Sequence, residues 1–244
     1  MKIVGVLVEP RKLEKTELLI NNFFDILKNN SLYFFCGKDC YHYYKKIYSN
    51  NNKIILIDLN TNNLTASEYN DLFKNIKFWD QIDTDYFLTI QTDGCLCKNS
   101  DYKLTDFLKY DYIGGCKKNA WRQCGKYIPN YFDKYQCLNG GFSLRNLKAV
   151  KDVLKQFPPK KTNCGRKQGS LSFEYWPEDM YFSIGMYKLN YNVALDKFAT
   201  NFCTHGNLPF AKTFCIHNYH RVPGNKVQQL NKLFEYCPDY KNFV

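Results

Sequence analysis

Two patterns of apolar residues alternate over residues 1–91. Short, uninterrupted apolar runs are typical of strands buried on both faces of a parallel sheet. Longer segments between them place apolar residues at helical spacing. The predicted strands cover residues 3–8, 32–36, 53–59 and 86–91, and the predicted helices cover residues 13–27, 39–48 and 65–82. This alternation predicts an α/β fold, with a mixed, mostly parallel sheet flanked by helices and joined by right-handed crossovers.

The second half of the chain is less regular. We expect strands near residues 111–115 and 138–144, although Asn139-Gly140 alone favours a hairpin turn. Helices are predicted over residues 147–157 and 178–189, a long mobile loop over residues 158–175, and a tail from about residue 202 that wraps the core. Because no repeat or low-complexity linker interrupts the chain, we predict a single domain over residues 1–244. Its two functional halves would be about 1–115 and about 116–244.

Composition and charge narrow the class of protein. Of the 244 residues, 45% are hydrophobic and 23% are charged, which argues against a disordered chain or a coiled coil. The net charge of +11 suits an anionic ligand such as a nucleotide diphosphate, a nucleic acid or an anionic surface. The densest basic stretch, residues 148–167, is most simply a solvated helix face and loop. The alternative is a flexible basic loop that covers a phosphate-bearing substrate.

The cysteines and the N-terminus indicate a reducing compartment. The first apolar run is too short for a secretory signal and is closed by Glu9, and no later run approaches the length of a membrane span. With 11 cysteines, an odd number, the chain is expected to be a soluble cytoplasmic protein with reduced, mostly buried thiols. Cys36/Cys40 and Cys95/Cys97 lack the C-x2-C spacing of zinc knuckles, so structural zinc is not favoured.

Candidate ligand-binding residues follow two of the predicted strands. Ligands of open α/β sheets bind beyond the carboxyl ends of the strands, where this chain places Glu9-Pro10-Arg11 and Gln91-Thr92-Asp93-Gly94. A carboxylate in that position is well placed to hold Mg²⁺ or Mn²⁺ together with substrate phosphates. The chain lacks a P-loop, a G-x-G-x-x-G after the first strand, and a G-x-S-x-G elbow. Those absences argue against P-loop hydrolases, dinucleotide-binding enzymes and α/β-hydrolases.

Four motifs occur in a fixed order along the chain. They are Gln91-Thr92-Asp93, Asp111-Tyr112-Ile113-Gly114, Asn139-Gly140-Gly141-Phe142-Ser143-Leu144-Arg145 and Glu178-Asp179-Met180-Tyr181-Phe182-Ser183. Over about residues 3–220, this order resembles a DUF5672-like family of GT-A-type glycosyltransferases that giant viruses, bacteria and fungi carry. The resemblance implies a metal-dependent enzyme that moves a hexosyl or related sugar from a nucleotide-diphospho sugar to a glycan or protein acceptor, with UDP as the expected nucleotide. It also implies a location in the cytoplasm. For a virus-encoded protein, this is the cytoplasm of the host cell.

The resemblance also implies roles for individual residues. Asp93 matches the aspartate that binds Mn²⁺ or Mg²⁺, and His217 resembles a late histidine that completes the metal shell. Gln91 stands where the first aspartate of a D-x-D motif is usual. Of the acidic pair near the acceptor, Asp179 is favoured over Glu178 as the general base of an inverting reaction. Donor-binding positions are Val8, Glu9 and Arg11 at the nucleotide base and Asn139, Gly140 and Gly141 beside the sugar.

Simpler structural roles compete with each of these assignments. Asp93 followed by glycine is a common turn, and Glu178 and Asp179 are ordinary acids for a first helical turn. His42 and His205 are given no role, and packing is favoured over sugar stacking for Trp121 and Trp176. The rival function is a basic α/β protein that binds nucleotide or nucleic acid without catalysis, although nucleic acid is not the favoured ligand. A degenerate transferase is also possible, because Gln91 supplies no charge.

Overall fold

The computed structural model describes residues 1–115, 139–163, 171–206, 211–219 and 227–244. Its main sheet has six strands in the order β3-β2-β1-β4-β7-β6. The first four in that order run parallel, whereas β7 is antiparallel to both β4 and β6. The main-sheet strands are β1 (Ile3–Glu9), β2 (Ser31–Cys36), β3 (Ile54–Asp58), β4 (Tyr86–Ile90), β6 (Tyr112–Gly115) and β7 (Asn139–Asn146). The predicted mixed, mostly parallel α/β architecture is therefore confirmed.

Helices cover both faces of this sheet. They are α1 (Glu14–Ile26), α2 (Lys38–Ile47), α3 (Ala66–Phe73), α4 (Ile76–Trp79), α5 (Leu147–Gln156), α6 (Glu178–Lys188), α7 (Asp196–Phe202) and α8 (Val227–Tyr236). Short 3-10 turns occur at Leu104–Phe107, Phe173–Tyr175 and Pro238–Phe243. No helix in the described part of the chain is both long enough and apolar enough to cross a bilayer.

The alternation of side chains along β1 divides the core into two layers. Val4, Val6 and Val8 pack toward α3–α6, whereas Leu7 packs toward α1 and α2. Burial of each such side chain stabilises the fold by roughly 1.5–3 kcal/mol. Gly5 also faces α1, where a Cβ would lie 2.6 Å from the Phe23 ring, so a glycine lets that helix lie close to the sheet. The two apolar layers hold the carboxyl ends of β1 and β4 in fixed positions.

A second, smaller sheet was not predicted from the sequence. Its strands β5 (Gly94–Leu96), β9 (Cys215–His217) and β8 (Cys203–Thr204) form in that order, and β9 pairs antiparallel with β5 and parallel with β8. They are two or three residues long, too short to show a periodic pattern. This sheet brings the tail of the chain back beside the end of β4, which agrees with the predicted wrapping of the core.

Seven cysteines lie among the described residues, and all seven are buried free thiols. Burial raises the pKa of Cys36 to about 12 and holds the pKa values of Cys95, Cys97 and Cys215 well above those of exposed thiols. These thiols are small apolar core groups, as predicted. Cys116, Cys124, Cys137 and Cys164 lie outside the described residues.

Three local predictions need correction. The helix predicted over residues 65–82 is two helices, because Asn75 caps a new one by accepting a hydrogen bond from the Lys77 amide. Asn139-Gly140 begins strand β7 instead of forming a hairpin turn. The predicted 158–175 loop is anchored at its ends, since the buried Lys74 ammonium donates to the carbonyls of Lys160, Glu174 and Trp176. Residues 164–170 of that loop, including Arg166 and Lys167 of the basic stretch, lie outside the described residues.

Candidate donor-binding and catalytic site

A cavity of about 600 Å³ opens at the carboxyl ends of β1 and β4. The chain proceeds from β1 to β2 and β3 on one side and then returns to β4 on the other, so the cavity lies at a switch point of the sheet. Its lining residues are Val8, Glu9, Pro10, Arg11, Leu13, Glu14, Lys15, Asn63, Leu64, Tyr69, Gln91, Thr92 and Asp93. Five of these lining residues were predicted from the sequence: Val8, Glu9, Arg11, Gln91 and Asp93. Lys15, Asn63 and Tyr69 were not predicted.

Glu9 and Arg11 form a fixed ion pair within this cavity. Arg11 donates from Nε and Nη2 to the two Glu9 carboxylate oxygens at 2.8 and 2.9 Å, and Thr92 donates its hydroxyl to the same carboxylate. Donation of this hydrogen bond to Glu9 raises the pKa of Arg11. Because the Arg11 side chain is 55% exposed while that of Glu9 is 6% exposed, the pair presents a cation to the cavity. An anionic ligand would find that cation already oriented.

The buried His217 side chain meets Gln91 and Asp93, two residues that line the cavity. The Nε2 atom of His217 lies 3.0 Å from the Asp93 Oδ1 atom and 3.1 Å from the Gln91 Oε1 atom. The second sheet makes this possible, because Gly94 pairs directly with His217 across β5 and β9. A side chain at Gly94 would meet the backbone of β9, with a Cβ only 2.3 Å from the Ile216 carbonyl oxygen. Residues 126 positions apart in the sequence thereby meet.

This donor set suits a divalent cation whose shell is completed by substrate. It offers one carboxylate, one imidazole nitrogen and one amide oxygen, and Mg²⁺ and Mn²⁺ sites of this kind take one or two carboxylates together with phosphate oxygens and water. No cluster of three or more His, Cys, Asp or Glu side chains suited to a metal occurs among the described residues. A cation here would therefore depend on the diphosphate of a ligand for part of its coordination.

Gly140 and Gly141 separate this set from the acidic pair. A Cβ on Gly141 would lie 2.3 Å from His217 and 2.5 Å from the Gln91 Oε1 atom. A Cβ on Gly140 would lie 2.2 Å from the Glu178 Oε1 atom and 3.0 Å from the Asp179 Cβ. Because these two glycines have no side chain, His217 and Gln91 can lie against one face of β7 and Glu178 against the other. At the start of β7, the Asn139 side chain accepts a hydrogen bond from the Gly141 amide at 3.0 Å.

Glu178 is bound into a buried ion pair with Arg145. Both Glu178 carboxylate oxygens accept hydrogen bonds from the Arg145 guanidinium, which is fully buried and also donates from Nε to Ser143. Burial opposes the charge on Arg145, yet the Glu178 carboxylate holds its pKa above the ordinary value. The guanidinium also lies over the Tyr112 ring, 4.9 Å from its centroid. Glu178 is thus fully engaged in supporting the first turn of α6.

Asp179 has different surroundings from its neighbour. Its carboxylate accepts hydrogen bonds from the backbone amides of Met180 at 2.8 Å and Gly140 at 3.4 Å. Burial raises the pKa of Asp179 to about 7, and the adjacent Glu178 carboxylate adds to the increase. A carboxyl group with this pKa exchanges a proton near neutral pH, which is the property that acid–base catalysis requires. The geometry therefore separates the roles of two consecutive acids.

Two further residues join the site without any sequence signal. The Tyr69 hydroxyl accepts a hydrogen bond from the Gln91 amide at 2.9 Å. The His205 ring stacks on His217 with centroids 5.0 Å apart, and its Nδ1 atom lies 3.0 Å from the His217 carbonyl oxygen. Trp176 is buried in the core, in agreement with the packing role favoured for it, while Trp121 lies outside the described residues.

Solved glycosyltransferases share this fold at low sequence identity. The galactosyltransferase LgtC, in complex with donor and acceptor sugar analogues, matches with a TM-score of 0.56 and 11% identity over 98% of this chain and 96% of LgtC. The apo form of the glycosyltransferase GlyE of Streptococcus pneumoniae TIGR4 matches with a TM-score of 0.51 and 12% identity, over 100% of this chain and 62% of GlyE. The fold is therefore that of the GT-A glycosyltransferases.

The sequence itself matches one family. No curated protein sequence matches the chain. The family DUF5672, described as a protein of unknown function, matches residues 53–220. Because this match covers more than half of the chain, the protein belongs to the DUF5672 family.

Proposed function

We propose that this protein is a metal-dependent glycosyltransferase that uses a nucleotide-diphospho sugar, with UDP as the expected nucleotide. One observation carries the proposal. Within a GT-A fold, the cavity at the sheet switch point is lined by Gln91 and Asp93, which meet His217, and Gly140 and Gly141 lie between this set and Asp179. Such an arrangement supports an anion-binding cavity, a cation site and a proton-transfer group that follow one another along the donor.

The proposed donor lies along the cavity. The nucleotide would occupy the end formed by Val8, Glu9 and Arg11, where the Arg11 cation faces the phosphates. Gln91, Asp93 and His217 would hold Mn²⁺ or Mg²⁺ beside the diphosphate. When bound, the cation would neutralise the charge that builds on the leaving diphosphate. In this proposal residues 1–115 form the nucleotide-binding half of one domain, and residues 116–244 form the acceptor half.

Asp179 is the proposed catalytic residue of the acceptor half. Its carboxylate would take the proton from the acceptor hydroxyl as the oxygen attacks the anomeric carbon of the donor sugar. Glu178 is disfavoured for that step, because both of its oxygens accept hydrogen bonds from Arg145, which neutralises its charge. This assignment requires inversion of the anomeric configuration, so a product with retained configuration would contradict it. The acceptor is proposed to be a glycan or protein, and the buried free thiols support a reducing cytoplasm as the setting.

A thermal-shift screen tests the donor and metal. The wild-type protein, Asp93→Ala and the control Asp58→Ala, which changes a carboxylate at the end of β3 outside the cavity, are each melted with UDP-, GDP- and CMP-linked sugars in Mn²⁺, Mg²⁺ or EDTA. Ligand binding to the folded state raises the melting temperature by mass action. We expect a shift that requires metal in the wild type and the control and is lost in Asp93→Ala.

Other outcomes of this screen would redirect the proposal. A folded wild-type protein that responds to no sugar nucleotide but binds random RNA with strong salt dependence would support the rival nucleic-acid-binding function. Binding of a sugar nucleotide without hydrolysis or transfer to any glycan acceptor would indicate a degenerate transferase.

A further inference from the structure

Tyr69 connects the two halves of the candidate site. It lies on α3, lines the cavity, and accepts the hydrogen bond from the Gln91 amide. The next residue, Asn70, accepts the backbone amide hydrogen of Glu178 at 2.6 Å. Two consecutive residues of one helix thus contact the cation-site glutamine and the first turn of α6.

The Tyr69 hydroxyl retains a proton that it can donate. A phenol has one donor and can also accept, and the bond from Gln91 uses only its accepting capacity. Among the residues that the structure describes, no acceptor receives the Tyr69 proton. Burial, reinforced by the Glu178 carboxylate, raises the pKa of Tyr69, so the hydroxyl remains protonated at neutral pH. A partly buried donor facing a cavity is a favourable partner for an oxygen atom of a ligand.

The position of Tyr69 within the cavity indicates which part of a ligand it meets. The cations Arg11 and Lys15 lie on the stretch that follows β1, whereas Tyr69 adjoins Gln91 at the end of β4. The Tyr69 hydroxyl contacts Gln91 of the cation site, and the next residue, Asn70, contacts the first turn of α6, so this part of α3 adjoins both the cation site and the acidic pair. In a donor that spans these two groups, the sugar is the part that lies between them.

We propose that Tyr69 donates a hydrogen bond to the sugar of the bound nucleotide-diphospho sugar and helps to select that sugar. This inference rests on the proposed function. Packing fixes the ring for this role, because the Tyr69 ring stacks on Phe73 with centroids 4.8 Å apart. The Gln91 amide donates to the hydroxyl oxygen, so the hydroxyl proton can be donated to an acceptor atom of the ligand.

Tyr69→Phe tests the assignment with little structural change, since the ring and its stacking on Phe73 are kept. Tyr43→Phe is the matched control, because the Tyr43 hydroxyl bonds Glu17 outside the cavity. Isothermal titration calorimetry with Mn²⁺ would measure the affinities of UDP-glucose, UDP-galactose and GDP-mannose, each compared with UDP or GDP. Loss of one hydrogen bond should weaken sugar-nucleotide binding about fivefold and nucleoside-diphosphate binding less than about twofold.

The comparison with nucleoside diphosphates separates the possible results. Equal weakening of both ligand classes would place Tyr69 at the diphosphate and overturn the sugar assignment. Unchanged affinity of Tyr69→Phe for a sugar nucleotide that the wild type binds would overturn the contact itself while leaving the proposed function intact. A wild-type protein that binds none of the sugar nucleotides would overturn both the proposed function and this inference.

Discussion

The two faces of the Gly140–Gly141 dipeptide differ in how their polar groups are used. On the Gly141 face, His217 meets Gln91 and Asp93, which line an open cavity, and the Asp93 side chain is 21% exposed. On the Gly140 face, Arg145 and Glu178 neutralise each other away from solvent. On the Gly141 face, the polar side chains can replace their mutual contacts with contacts to a ligand. On the Gly140 face, separating Arg145 from Glu178 would leave an unpaired buried charge.

The first residues of β7 therefore contact both a buried ion pair that stabilises the fold and the polar groups of the candidate site. Asp179 lies at the margin between the faces, next to the buried pair in sequence but only partly buried itself. The ion pair fixes the first turn of α6, and the Asp179 carboxylate is held there by hydrogen bonds from the Met180 and Gly140 amides.

The largest effect is expected from breaking the buried pair. Arg145→Met leaves the Glu178 carboxylate buried without its partner and should lower the free energy of unfolding by about 3–5 kcal/mol. Urea denaturation measures this loss. The double variant Arg145→Met/Glu178→Met should recover most of it, because two apolar groups need no partners. Lys148→Met is the control, since its side chain is 76% exposed and solvent screens its ion pair with Asp152, so little stability should be lost. Equal losses in Arg145→Met and Lys148→Met would contradict the contrast.

Gly141→Ala should act chiefly on the cavity face. The added Cβ would overlap His217 and the Gln91 side chain, so we expect a loss of roughly 1–3 kcal/mol in stability and loss of the metal-dependent thermal shift with sugar nucleotides. Gly115→Ala is the matched control in the neighbouring strand, where the nearest atom to a Cβ is the His205 Cβ at 3.2 Å. A Gly141→Ala protein that keeps the metal-dependent shift would show that the cation does not bind at this face.

Features of the fold and of the cavity that depend on local sequence pattern could be predicted from the sequence. The apolar run of β1 predicted a buried strand, and the helix predicted from residue 65 begins there, where Thr65 and Glu68 form a capping box. The ends of β1 and β4 also indicated the cavity, because strand ends in a parallel sheet share one edge. These features need only neighbouring residues or a general rule of sheet topology.

Contacts between distant residues could not be predicted in the same way. Arg145 and Glu178 pair across 33 positions, and only the packing of α6 on β7 identifies Glu178 as a structural acid. The His205–His217 stack depends on strands β8 and β9, which are too short to show a pattern. Tyr69 looked like any other aromatic residue in a chain that is 17% aromatic. Its role arises from where α3 places it.

Titration of Asp179, which lies between the two faces, should have a smaller effect on the free energy of unfolding. Its pKa of about 7 lies above the ordinary aspartate value, so the folded state binds this proton more tightly than the unfolded state. The resulting stability is complete below about pH 4 and is lost as the pH rises through about 7. Asp179→Asn removes this loss, so its free energy of unfolding relative to the wild type should rise by roughly 2 kcal/mol between pH 5 and pH 8.5, allowing for partial exposure.

Urea denaturation at the two pH values measures this difference, because the other titrating groups are common to both proteins. Asp25→Asn, which changes an exposed aspartate on α1, is the control and should show no such change with pH. A difference between Asp179→Asn and wild type that stays constant with pH would show that Asp179 has an ordinary environment. It would also remove the support for Asp179 as the proton-transfer group.

The smallest effect should reach both faces at once through α3. The Thr65 hydroxyl accepts the Glu68 amide hydrogen at the start of this helix, and Thr65→Ala should lower the free energy of unfolding by about 1 kcal/mol. Because the same helix presents Tyr69 to Gln91 and Asn70 to Glu178, loosening its first turn should also weaken sugar-nucleotide affinity slightly, by less than about threefold. Asn75→Ala, which removes the cap of α4, is the control for a similar loss of stability away from these contacts. If both variants lost stability equally and neither changed affinity, α3 would be a support for the fold alone, and the two faces would be independent of each other.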